Sequence, residues 1–169
     1  RTRSLQWHWN HSHWMRAAVA QAKKCPPDDK AYSVGCVIIG TDGKPISFGY
    51  SRETGRCHAE QSAIDKVEDK SRLIGATLYC TMEPCSARDS HPVPCANIII
   101  ASGIKTVYIA VAEPPNFKNC KGIENLRKAG ITVHFMPEFQ AAALAPNLHI
   151  PGLAALARQV AQGIQHRIA

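Results

Sequence analysis

Four residues stand where metal-assisted hydrolysis would need them. His58 and Glu60 lie two apart in Cys57-His58-Ala59-Glu60, Cys85 follows a proline in Thr81-Met82-Glu83-Pro84-Cys85, and Cys95 comes ten residues later. An imidazole and two thiolates are ligands that zinc takes, and three protein ligands leave a fourth coordination position open for water. Zinc lowers the pKa of bound water from roughly 15.7 to about 7. Replacing a ring amino group by water needs that nucleophile, plus a group that carries protons to the ring and to the departing amine. Glu60 is near enough to His58 to serve as the carrier without ligating. The step from Cys85 to Cys95 is far longer than a Cys-x-x-Cys knuckle, so the signal rests on its combination with His-Ala-Glu and Glu-Pro-Cys.

The surrounding pattern places these residues on elements. Ser12 to Lys24 reads as a first helix, ended by Cys25-Pro26-Pro27-Asp28-Asp29 because proline cannot continue a helix. Val34 to Ile39 and Pro45 to Tyr50 are strand-like runs joined by Thr41-Asp42-Gly43-Lys44, a hairpin signal. His58 to Val67 has apolar residues at helical spacing, which puts His58 and Glu60 in its first turn. Strands follow at Ala76 to Thr81, Thr106 to Val111 and Ile131 to Phe135. They alternate with helices at Cys95 to Ser102, closed by Gly103, and Gly122 to Lys128, closed by Gly130. Alternation of this kind requires crossovers and a partly parallel sheet. The expected fold class is α/β, a three-layer α/β/α sandwich around a five-stranded mixed sheet. Residues 1–140 are expected to form the catalytic domain and 141–169 an appended helical tail, with Leu153 to Ile168 amphipathic.

Cys85 follows a strand and Cys95 begins a helix, and a helix N-terminus with a nearby cation favours thiolate. Cys57 adjoins His58, but neighbours on a helix point about 100° apart, so it is expected to face the core or the cavity mouth. Cys25, Cys36, Cys80 and Cys120 read as core thiols. His8, His11 and His13 read as part of a loosely packed N-terminal arm. With 169 residues, 45% hydrophobic and 20% charged, the chain has ordinary globular proportions. It contains no run approaching the ~18 apolar residues of a membrane span. The first residues lack the apolar core of a secretory signal, so a cytoplasmic location is expected. A net charge of +7 suits an anionic partner, a phosphorylated metabolite or a nucleic acid.

The order His-x-Glu, Pro-Cys, Cys is that of zinc deaminases. GRCHAEQSAI, ATLYCTMEPCS, VPCANIIIASGIKTVYIAV and LRKAGITV together resemble the cytidine deaminase-like superfamily, and within it the riboflavin-pathway pyrimidine deaminases, over roughly residues 12 to 136. Most of the superfamily has two residues between the metal cysteines; this chain has the nine-residue loop 86–94, which with Gly49-Tyr50-Ser51-Arg52-Glu53 is closer to the fungal type. The reductase domain of the bacterial type has no counterpart in the sequence. The resemblance implies zinc at His58, Cys85 and Cys95, proton transfer by Glu60, and a diamino-ribosyl- or ribitylamino-pyrimidinone 5'-phosphate as substrate. Arg52, Arg56, Arg88 and His91 are candidates for meeting the phosphate. Ser33, Ala59, Glu113 and Asn116 complete the candidate substrate contacts; Glu113-Pro114-Pro115-Asn116-Phe117 stands where the bacterial type has Asp-Pro-Asn-Pro. Self-association, as a homodimer or larger, is implied as well. The competing readings are a deaminase of another nucleoside, nucleotide or base, an RNA or DNA deaminase, and a silent zinc-stabilised scaffold. The long cysteine loop and the lack of a basic tail count against nucleic acid.

Overall fold

The computed structural model describes residues 2–87, 91–114 and 120–162, and only the backbone of residues 2–9. Five strands, β1 (Gly35–Ile39), β2 (Pro45–Tyr50), β3 (Thr77–Met82), β4 (Thr106–Val111) and β5 (Thr132–Phe135), form one sheet in the order β2-β1-β3-β4-β5. β1 runs antiparallel to both β2 and β3, with Cys36 opposite Gly49 on one side and Cys80 on the other. β3, β4 and β5 are mutually parallel. The helices are α1 (Thr2–Ala22), α2 (Ala59–Asp65), α3 (Cys95–Ser102), α4 (Gly122–Lys128), α5 (Gln140–Leu144) and α6 (Leu153–Ala161).

Successive strand residues point to opposite faces, and both faces are covered. On one face Ile38, Leu78 and Ile109 pack with Ala63 of α2, Ile99 of α3 and Ile123 of α4. On the other, Val37, Tyr79 and Ala110 pack with Met15 of α1, Leu144 of α5 and Leu153 of α6. This explains why β1 is buried along its whole length and reads as a continuous apolar run rather than an alternating one. The result is the expected α/β/α sandwich.

Gly49 lets α2 approach the sheet closely, because a Cβ there would fall 2.3 Å from the carbonyl oxygen of Ala59. The helix carrying Glu60 therefore rests on strand backbone. The parallel pair β3 and β4 ends at the same side of the sheet. Cys85 and Glu113 follow these two strands, at the carboxyl ends where open α/β sheets place their ligands.

Two expectations need correction. The first helix extends back to Thr2 rather than starting at Ser12, and the arm is packed rather than loose at His11 and His13, while the side chain of His8 lies outside the described residues. His11 stacks on Tyr108 with ring centroids 4.4 Å apart and hydrogen-bonds the hydroxyls of Tyr79 and Tyr108. His13 is helical and meets Trp14 edge-on. The residues before Ser12 lack apolar periodicity; among them His11 is held by its contacts with Tyr79 of β3 and Tyr108 of β4. At the other end, Leu153 and Leu156 of α6 are buried as its amphipathic pattern requires, while residues 163–168 of the expected helix lie outside the described ones. Among the described residues no helix is long and apolar enough to cross a membrane.

Candidate metal centre and active-site cavity

His58 is the N-cap of α2, with extended backbone (φ −86°, ψ 162°), so its ring leaves the helix at the sheet's carboxyl end. Its Nδ1 is 3.5 Å from Cys85 Sγ and 3.5 Å from Cys95 Sγ. The three ligand atoms lie within 4.8 Å of one another. Zn–N and Zn–S bonds of ~2.0 and ~2.3 Å at tetrahedral angles would separate nitrogen and sulfur by about 3.5 Å. The donor set therefore fits zinc in chemistry and in spacing.

Cys85 sits where two elements converge. It leaves β3 through Glu83 and Pro84, and the first amide of α3, that of Cys95, donates to its sulfur at 3.2 Å. Its carbonyl accepts from Ala96 at 3.0 Å. Hydrogen bonding by the Cys95 thiol, then by His58 and the Cys95 amide, brings the Cys85 thiol down to about 4 against the opposing effect of burial. These contacts favour the thiolate of Cys85, the form that ligates metal. Pro84 is pinned by α4: a Cβ on Gly122 would lie 1.7 Å from the Pro84 carbonyl oxygen.

Glu60 lies in the second position of α2, buried at 4% exposure. Burial, and then the Cys85 charge, push its carboxyl above the ordinary carboxylate range, with His58 and Cys80 opposing. The Cys80 thiol donates to Oε1 at 3.3 Å and orients the group. Cys80 and Cys36 are buried thiols with pKa values raised by burial, and Cys120 is buried as well. Cys25, by contrast, is only partly buried, beside the Val34 carbonyl. Cys57 lines the cavity mouth.

The cavity that His58 and Cys85 line holds about 230 Å³. Its inner wall carries the carboxyl groups of Glu60, Glu83 and Glu113, and its outer wall the exposed cations Lys30 and Arg56. Glu83 accepts from the Glu113 amide at 3.0 Å and from the Ile123 amide at 3.1 Å, joining the segment after β4 to the start of α4. Burial drives the Glu113 carboxyl up to about 7, with the Cys120 thiol opposing.

The pattern described as the cytidine and deoxycytidylate deaminase zinc-binding region matches residues 8–111. The chain belongs to this deaminase family. A diaminohydroxyphosphoribosylamino-pyrimidine deaminase of Schizosaccharomyces pombe is 46% identical over 129 residues, 74% of this chain and 32% of that protein. The chain spans about a third of the length of the first curated relatives it matches. Among solved structures, RibD of Acinetobacter baumannii superposes with a TM-score of 0.72 at 29% identity, covering 91% of this chain and 41% of that one. The Rib2 deaminase of Aspergillus oryzae superposes with a TM-score of 0.78 over 90% of this chain and 98% of that one; at 24% identity it is evidence of shared fold. The family's cofactor is zinc, which the three converging donors suit.

Of the candidate substrate contacts, Arg52, Arg56 and Glu113 reach the cavity. Ser33 and Ala59 are buried behind it, and His91 is outside it, its Nδ1 accepting from the Val93 amide at 3.0 Å. Arg88 and Asn116 lie outside the described residues. Arg52 points its guanidinium back into the protein, donating four hydrogen bonds to the Pro26 and Tyr32 carbonyls and Ser33 Oγ. That leaves one N–H for a phosphate. Sequence reasoning did not single out Glu83, although its motif was in view, nor Tyr32, whose hydroxyl donates to the Pro114 carbonyl at 2.7 Å.

Proposed function

We propose that this chain catalyses hydrolytic deamination of an aminopyrimidine, and that the substrate is a diamino-ribosyl- or ribitylamino-pyrimidinone 5'-phosphate. The carrying observation is the His58, Cys85 and Cys95 cluster within 4.8 Å, with buried Glu60 in the same cavity. His58, Cys85 and Cys95 would hold the zinc, which when bound acidifies a water molecule to near neutrality. Glu60 takes the proton released as water adds to the amino-bearing ring carbon. It delivers that proton to the adjacent ring nitrogen, then takes the proton of the new hydroxyl group and passes it to the departing amine. The C–O bond forms, the C–N bond breaks, and ammonia and a carbonyl result. Because Cys80 holds Oε1, we assign the travelling proton to Oε2.

The walls support the substrate class. Carboxyl groups inside the cavity match the N–H edges of a diaminopyrimidinone, and Lys30 and Arg56 at the mouth match a phosphate. The names borne by the Schizosaccharomyces pombe and Acinetobacter baumannii relatives point the same way. Self-association belongs to this reading and rests on the family resemblance. The test is mass-spectrometric product analysis over a panel of diaminopyrimidinone phosphates, cytidine and deoxycytidylate. Loss of ammonia from the first class alone is expected; turnover of cytidine or deoxycytidylate with the diaminopyrimidinones untouched would overturn the substrate assignment.

A further inference from the structure

The outer wall of the cavity has no regular secondary structure. Between α1 and β1, residues 25–34 cross the mouth, and Asp28, Lys30, Tyr32 and Val34 face the cavity. A wall without its own ladder of backbone hydrogen bonds must be held by side chains from elsewhere. Arg52 is one holder. It sits at φ 61°, a left-handed conformation unusual for a residue with a side chain, and grips Pro26, Tyr32 and Ser33 from the cavity side. The second holder comes from 114 residues away in the chain. Asn147 Oδ1 accepts from the Ser33 amide at 2.6 Å, and its Nδ2 donates to the Ser33 carbonyl at 3.0 Å. The same Nδ2 reaches the Ala143 carbonyl at 3.3 Å, and Asn147 is completely buried. Two residues on, His149 Nε2 donates to the Asp28 carbonyl at 2.9 Å.

We propose that Asn147 is a positioning residue for substrate: by pairing with both backbone groups of Ser33 it sets the distance of Tyr32 and Val34 from the metal centre. This rests on the deaminase reading above. Asn147 lies beyond the matched family region, which ends at residue 111. The C-terminal segment therefore contributes to the active site without touching substrate. Its two amide bonds to Ser33 flank the hydroxyl that Arg52 grips, so Ser33 is clamped from both sides while its neighbours carry the wall.

The test compares Asn147→Ala with Leu73→Ala, a core truncation on the other face of the sheet. With the aminopyrimidine phosphate that the wild-type protein deaminates, Asn147→Ala is expected to raise KM about tenfold and to change kcat less than about threefold, with zinc content unaltered. Leu73→Ala is expected to lower Tm without moving KM. Deuterium exchange of the same zinc-loaded proteins needs no substrate. It should speed up at residues 26–34 in Asn147→Ala while α2 and β3 keep their protection. An unchanged KM, or faster exchange confined to 137–150, overturns the proposal. Should Asn147→Ala fail to fold, exposed His149→Ala makes the same measurement in a folded protein: faster exchange at 26–34 supports the clamp and wild-type exchange there refutes it. Wild-type protein inert toward every aminopyrimidine would defeat the reaction assignment and leave the exchange result standing.

Discussion

A proton carrier is most effective when its pKa lies near the working pH, and burial in the second position of α2 moves Glu60 in that direction. Glu60→Gln keeps the shape and the contact with Cys80 but cannot exchange the proton. It should retain stoichiometric zinc and lose at least ~10²-fold in kcat, as removal of general acid–base catalysis does. Steady-state kinetics with metal analysis checks both. Cys85→Ala removes a thiolate on which α3, His58 and Cys95 converge. The purified variant should contain little zinc, measured by atomic emission. Glu113 titrates differently from a surface glutamate. Its carboxyl is raised to about 7 in the folded chain against 4.5 otherwise, so the stability it contributes is complete below about pH 4.5 and is lost as pH rises through about 7. Glu113→Gln should flatten this decline, seen as wild-type and variant urea midpoints that approach each other toward low pH.

The elements work through their ends. α2 supplies its N-cap, α3 its first amide, and α4 its first residue, Gly122, against Pro84. Gly122→Ala would force Pro84 aside and Cys85 with it. Overpacking of this kind costs about 1–3 kcal/mol, and zinc should pass to a competing chelator faster than from wild type, followed with a chromogenic dye. The bounds of α3, α4 and β4 agree with the sequence reading because Pro94, Gly103 and Gly130 punctuate them and β-branched residues fill the strand. The early start of α1 was not legible, since its pairing with Tyr79 and Tyr108 is a tertiary event. The same distinction holds at the site. His58, Glu60 and Cys85 announce themselves in contiguous motifs. Tyr32 and Asn147 act through partners 82 and 114 residues distant, and no local pattern encodes such pairs.

At the scale of the molecule, one metal would tie both ends of the β3–α3 connection to the start of α2. Ligand binding to the folded state alone stabilises by about 4 kcal/mol at a thousandfold excess over Kd. For a chain of this size, where each kcal/mol is worth about 2–4 °C, chelation should lower Tm by roughly 8–16 °C, and zinc, unlike magnesium, should restore it; differential scanning calorimetry reports both. The contact of α2 with Gly49 has a further consequence. Because main chain meets main chain there, with a carbonyl oxygen 2.3 Å from where a Cβ would stand, the height of the catalytic helix does not depend on which apolar side chains fill the layer beneath. A saturation library should then accept many exchanges at Ile38, Ala63 or Leu78 that conserve volume, yet return glycine alone at position 49.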